Sequence, residues 1–164
     1  MVVKRSALAL ALLLIGASAA AAQSEQTVYV VHTFATRNGA DSGLSIIGAN
    51  NARQLAGWFD SDPPAAPPLA IYVTETRSSR ESAAPLAEGL GLEAKRYNES
   101  DVVSLAASVR QEQGPVLIVA DGSVIHGLVR DLSDQAASDS DGAMPGDIWV
   151  IKAGSVRRES VGQE

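Results

Sequence analysis

The sequence predicts an α/β protein, a three-layer α/β/α sandwich around a mostly parallel central sheet. Three observations predict it. Short apolar and β-branched runs at 27–32, 69–74 and 116–120 alternate with segments whose apolar residues recur at helical spacing. The runs are apolar almost throughout, as strands covered on both faces must be. Two of them meet polar groups at their ends, His32 and Asp121, where sheets of this class keep their chemistry.

The first 22 residues stand apart from that pattern. Lys4 and Arg5 precede an apolar run over 7–15 and a small-residue stretch ending Ala20-Ala21-Ala22, which reads as a secretory signal peptide with an A-x-A cleavage site. Its apolar core is shorter than the roughly 20 residues of a membrane span. The expectation is a leader over 1–22 and one domain over 23–164, secreted or periplasmic, with no membrane contact after cleavage. The leader holds two of the 13 basic residues and none of the 19 acidic ones, which leaves 11 against 19 and a net charge of −8. That balance argues against nucleic acid or an anionic membrane surface as partner. Cysteine is absent, which removes disulfides, thiolate metal sites and a lipidated N-terminal Cys.

Along the domain, a strand over 27–32 leads into a polar loop over 37–42 that contains Asn38-Gly39. Ser45 is a suitable N-cap, and Leu44, Gly48, Ala52, Leu55, Ala56 and Phe59 predict a helix over 46–59. A Pro-rich connector over 60–68 stops it. After a strand over 69–74, Ala83, Leu86, Ala87 and Leu90 mark a second helix over 77–90, with Gly91 placed as its C-cap. A short edge strand falls within 93–97, and Val102, Leu105, Ala106 and Val109 share one face of a helix over 101–113. The most apolar strand, 116–120, precedes a helix over 123–132. An acidic loop over about 133–146 then leads to a last strand over 147–152, where Trp149 reads as core or rim. Arg157-Arg158, flanked by acids, reads as a solvated tail.

Several side chains carry two readings. His32 is a nucleophile or ligand, or an ordinary strand-end histidine. Arg80 binds an anion or pairs with Glu81, Glu88 or Asp121, and Asp121 faces a site or caps the helix after it together with Ser123. Asp139-Ser140-Asp141-Gly142 has a calcium-loop flavour but lacks the closing Glu and reads as solvated acidic loop. His32 and Asp121 with Glu75 or Glu81 make a mixed nitrogen and oxygen set for a metal, too loosely placed to predict one. No metal and no cofactor is expected.

Taken in order, Val31-His32-Thr33, Leu44-Ser45-Ile46-Ile47-Gly48, the stretch from Thr74 through Thr76-Arg77-Ser78-Ser79-Arg80 to Ala83, and Ala120-Asp121 after the apolar strand resemble the histidine phosphatase superfamily, the phosphoglycerate-mutase-like proteins. The resemblance covers most of the domain. It implies that His32 occupies the position of the histidine that attacks phosphorus and forms a phosphohistidine. It places Arg80 on a phosphate-gripping arginine, with Arg77 and Glu81 beside it as further binding residues. It also exposes two departures. Valine stands at 31 where the family has arginine before its histidine, and Asp121 stands where the family has a second histidine.

Phosphoryl transfer is catalysed by positioning and by cations that meet the charge on the equatorial oxygens. With Arg80 opposed by Asp121, and only a partial charge from His32, the pocket sums to about zero. One unit charge about 4 Å away is worth roughly 4 kcal/mol at an effective dielectric of 20. The resemblance therefore implies a phosphatase-like hydrolase fold with a degenerate pocket, a pseudoenzyme that binds a small phosphorylated or other polar ligand or a protein partner. Arg37 and Arg77 are the cations best placed to compensate. The alternative is an active phosphohydrolase in which Glu75 or Glu81 supplies the leaving-group proton. A third reading gives the acidic loop a basic protein partner.

Overall fold

The computed structural model describes residues 26–39, 42–61, 65–133 and 142–162. The predicted leader, and most of the predicted acidic loop with its Asp139-Ser140-Asp141, lie outside the described residues. Ten elements run β1 Thr27–His32, α1 Ile46–Trp58, β2 Ala70–Val73, α2 Arg77–Leu90, β3 Lys95–Arg96, α3 Val102–Val109, β4 Val116–Ala120, α4 Gly122–Leu132, β5 Asp147–Lys152 and β6 Ser155–Ser160. They form one six-stranded sheet in the order β3-β2-β4-β1-β5-β6.

Strands β1 to β4 are parallel, as the alternation with helices requires. Their residues divide by parity between the two faces. Tyr29, Val31, Ile71, Val73, Leu117 and Val119 pack with Leu55, Leu86 and other residues of α1 and α2. Val30, Tyr72, Ile118 and Trp149 pack on the opposite face with Leu105, Ile125 and Leu128 of α3 and α4. The three-layer sandwich follows directly from strands that are apolar on both sides.

Local signals place the helices. Ser45 accepts a hydrogen bond from the Gly48 N–H and caps α1, while Thr76 does the same for α2 through Ser79. Gly91, with φ of 65°, closes α2 in the left-handed conformation that glycine adopts without penalty. Gly48 is required by contact: a Cβ there would lie 2.1 Å from the Ala35 carbonyl oxygen. That close approach seats α1 against the loop that follows β1.

The C-terminal segment differs from expectation. Strand β5 runs antiparallel to β1 and does not close the chain, because 155–160 forms a further strand antiparallel to β5. Ala153 and Gly154 both have positive φ, 50° and 74°, which makes the two-residue connection a type I′ turn whose twist suits a hairpin. Arg158, expected in a solvated tail, is held to the buried Asp147 carboxylate and lies over the Trp149 ring at 5.2 Å. Asp147 also accepts from the Ser160 hydroxyl at 2.6 Å and the Met144 N–H at 2.8 Å. Burial opposes its ionisation, but those hydrogen bonds together with Arg158 outweigh burial and hold the carboxyl below its ordinary range.

Candidate functional site

The parallel strands all end at one edge of the sheet, and the segments that leave them bring four polar groups to that edge. His32 closes β1, Thr74 follows β2, Glu99 lies beyond β3 and Asp121 follows β4. Strand order reverses between β1 and its neighbours here, the position where open α/β sheets form a crevice. A cavity of about 560 Å³ opens between residues 74–76 and 96–100.

His32 is half-buried, and its Nδ1 lies 2.9 Å from the Thr33 carbonyl oxygen. A carbonyl only accepts, so Nδ1 carries the proton and the neutral ring keeps Nε2 bare. Nε2 lies 3.0 Å from where a Cβ would stand on Gly122, the first residue of α4. Any larger residue at 122 would push against the ring. The backbone therefore fixes both the tautomer and the direction of the imidazole.

Two of the groups that reach that edge after β3 and β4, Glu99 and Asp121, are acidic, while Arg96 at the end of β3 borders the same cavity. Asp121 holds the N-cap position of α4, yet its side chain makes no capping bond. Its carboxyl instead meets Glu99, whose ionisation is opposed by burial, by the charge of Asp121 and by a hydrogen bond with Asp121, and eased by one from Thr74. The balance pushes the Glu99 carboxyl above its ordinary value. The Oε1 atom of Glu99 is also buried without a hydrogen-bond partner. The neighbouring Tyr97 hydroxyl donates to the Val119 carbonyl at 3.0 Å, and burial raises its pKa.

The other predicted residues are placed elsewhere. Val31 is fully buried in the face packed by α1 and α2, so no cation stands beside His32 from β1. Arg80 is exposed and lines a separate cleft between α2 and β3. The side chains that α2 buries near its start are Ser78 and Ser79, and the Ser79 hydroxyl accepts from the Thr74 N–H at 3.0 Å. At about 100° per residue, a helix that turns 78 and 79 inward carries 80 off that face. Arg77 pairs with Glu81 at 2.6 Å, and Glu81 accepts the Leu44 N–H at 2.7 Å. Glu81 and Arg37 line a third cavity between α1 and α2, so this group clasps the loop after β1 to α2. Those bonds, the backbone one first, hold the Glu81 carboxyl below its ordinary range. Glu75 is exposed and pairs with Arg96 at 3.5 Å. Among the described residues no three His, Asp or Glu side chains converge as a metal site, so the set of His32, Asp121 and Glu75 or Glu81 is not assembled.

Glu99 is the site residue that sequence reasoning missed. Its signal is slight, an acid in Asn98-Glu99-Ser100-Asp101 just after a short edge strand, and it faces Asp121 only because β3 and β4 deliver their following loops to the same edge.

No family model matches the chain, and no curated protein sequence does. Solved structures do. The protein histidine phosphatase SixA, complexed with tungstate, superposes with a TM-score of 0.60 over 82% of this chain and 94% of its own, at 15% identity. A mycobacterial glucosyl-3-phosphoglycerate phosphatase reaches 0.62 over 85% and 99%, also at 15% identity. The same mycobacterial enzyme with inorganic phosphate reaches 0.59. The chain thus has the fold of the histidine phosphatases. At these identities the likeness is one of architecture, and the chemistry has to be argued from the side chains described above.

Proposed function

We propose that this is an exported protein of the histidine phosphatase fold whose phosphate pocket is degenerate, with weak or no phosphomonoesterase activity and a role in binding a small ligand or a partner at the cleft beside His32. The observation that carries this reading is that Asp121 and Glu99 interact at the same sheet edge where His32 ends β1. A dianion entering there meets at least one carboxylate and no arginine from β1, and each such charge is worth several kcal/mol at short range. The structural neighbours that hold tungstate and phosphate support a small oxyanion-sized cleft in this fold. In this chain that edge carries Glu99 and Asp121, with Arg96 also bordering the cavity.

The alternative of an active phosphohydrolase retains one specific support, the orientation of His32. With Nδ1 donating to Thr33, the neutral imidazole keeps its Nε2 lone pair for a nucleophilic role. In that reading the leaving-group proton comes from Glu99, whose carboxyl is held above its ordinary value. Glu81 is held below it and is a poor donor.

Hydrolysis of an aryl phosphate by residues 23–164, beside His32→Ala, decides between them. The binding reading expects rates equal to those of His32→Ala from pH 4 to 8. Turnover that vanishes with His32→Ala, together with an acid-labile phosphoenzyme, would establish the phosphohydrolase instead.

A further inference from the structure

We infer that Ser82, on the buried face of α2, is a positioning residue for His32. Its hydroxyl holds the peptide between Thr33 and Phe34 in the orientation that keeps the ring proton on Nδ1 and leaves Nε2 bare. Helix α2 buries Ser78, Ser79, Ser82, Ala83 and Leu86, positions that share one helical face. Ser82 is fully buried there, and a buried hydroxyl is costly unless it is hydrogen-bonded. Its Oγ accepts the Phe34 N–H at 3.2 Å. The preceding residue, Glu81, accepts the Leu44 N–H at 2.7 Å, so two consecutive residues of α2 take hold of both ends of the loop that follows β1.

The consequence for the imidazole comes from the planarity of one peptide. The Thr33 carbonyl and the Phe34 N–H belong to the same trans unit and point in opposite directions. With the N–H on Ser82, the carbonyl is turned to the His32 Nδ1 at 2.9 Å. The peptide before it is fixed by main chain. The Thr33 N–H donates to the Ala120 carbonyl at 3.0 Å, and the His32 carbonyl accepts from the Gly146 N–H at 3.2 Å. The Thr33–Phe34 peptide has no main-chain partner among the described residues, and the Ser82 hydroxyl and the ring itself hold it. Without that hydroxyl the Phe34 N–H is a buried donor with no acceptor, and any rotation of the peptide that recovers one takes the carbonyl off Nδ1. The position of the ring proton follows the hydrogen bond made at Nδ1. An imidazole that loses this acceptor reverts towards the Nε2–H tautomer that water favours, while the backbone of His32 stays in place.

The chain has two histidines, so ring-nitrogen NMR of isotope-labelled residues 23–164 reads His32 directly, with His126 of α4 as internal reference. Spectra are taken at a pH where both rings are neutral. The wild type is expected to show a protonated Nδ1 and an unprotonated Nε2 at His32. Ser82→Ala should move the tautomer ratio about tenfold towards Nε2–H, whereas Ser82→Thr, which keeps a hydroxyl, should hold the wild-type ratio. Ser79→Ala is the matched control. Ser79 is also buried in α2, and its hydroxyl accepts the Thr74 N–H at 3.0 Å. Its loss removes the same kind of bond from the end of β2, and should lower the melting temperature as Ser82→Ala does while leaving His32 unchanged. An Nε2–H ring in the wild type, an unchanged ratio in Ser82→Ala, or an equal change in Ser79→Ala would each overturn the inference. The first of these requires no variant to fold. The readout is a ring spectrum and not turnover, so the outcome is independent of whether His32 attacks a phosphate.

Discussion

At the end of β1 the imidazole of His32 is positioned by main chain, through the Thr33 carbonyl and the bare Cα of Gly122. At the ends of β3 and β4 the cleft is charged by side chains, Glu99 and Asp121, that no backbone constraint requires. The first region has a histidine whose ring is set by main chain, whereas the second holds two acidic side chains. Geometry set by a backbone survives substitution because many contacts hold it. Pocket charge resides in a few side chains and changes with each of them. The orientation of one side chain and the charge around it are therefore set by different parts of the structure.

The largest effect is expected from moving charge into the first region. Val31→Arg puts a guanidinium at a fully buried position among Tyr29, Leu117 and Val119, with a cost of about 3–5 kcal/mol if no partner reaches it. Thermal denaturation should show a fall on the order of 10 °C. A variant that melts like the wild type and gains phosphate affinity would mean that the end of β1 opens towards the cleft.

A smaller and opposite effect is expected in the second region. Asp121→His combined with Glu99→Gln removes both carboxylates and can add a cation, and should tighten inorganic phosphate binding by about tenfold to a hundredfold, or about 1.4–2.7 kcal/mol. Calorimetry checks this directly. Unchanged affinity would place the phosphate-sized part of the cleft away from Asp121.

The smallest effect separates the two kinds of carboxyl by pH. Glu99 has a raised pKa in the fold, so its contribution is present in acid and is lost as pH rises through the folded value. Asp147 has a lowered one, so its contribution is present above about 3.8 and is lost as pH falls. Urea midpoints from pH 3 to 8 should rise at the neutral end in Glu99→Gln, by less than about 1 kcal/mol given solvent screening. Asp147→Asn should flatten the acid limb instead. If Glu99→Gln shifts both limbs equally, the fold does not oppose the ionisation of Glu99.

Strands β1, β2 and β4 were legible because each is a short run apolar on both parities, and α2 because the spacing of Ala83, Leu86, Ala87 and Leu90 agrees with Gly91 as its end, even across Pro85. Helix α3 is shorter than its periodicity suggests, ending at Val109. Strand β6 was missed because Arg157, Arg158 and Glu159 look like solvent-facing tail, although Lys152-Ala153-Gly154-Ser155 carries a hairpin turn. His32 and Asp121 were legible as strand-end groups. The placement of Arg80 was not, since a motif spacing says which residues are neighbours on a helix but not which way the helix is rolled.

The sequence by itself determined the order of strands and helices as far as β5, the layers they form and the presence of a histidine at the end of the first strand, because hydrophobic period and capping act over one or two turns of chain. Tertiary structure alone decided that Glu99 meets Asp121, that Arg80 lines another cleft and that Arg158 pairs with Asp147. Each of those contacts joins residues brought together by strand order and helix roll, and both are settled by packing across the whole sheet.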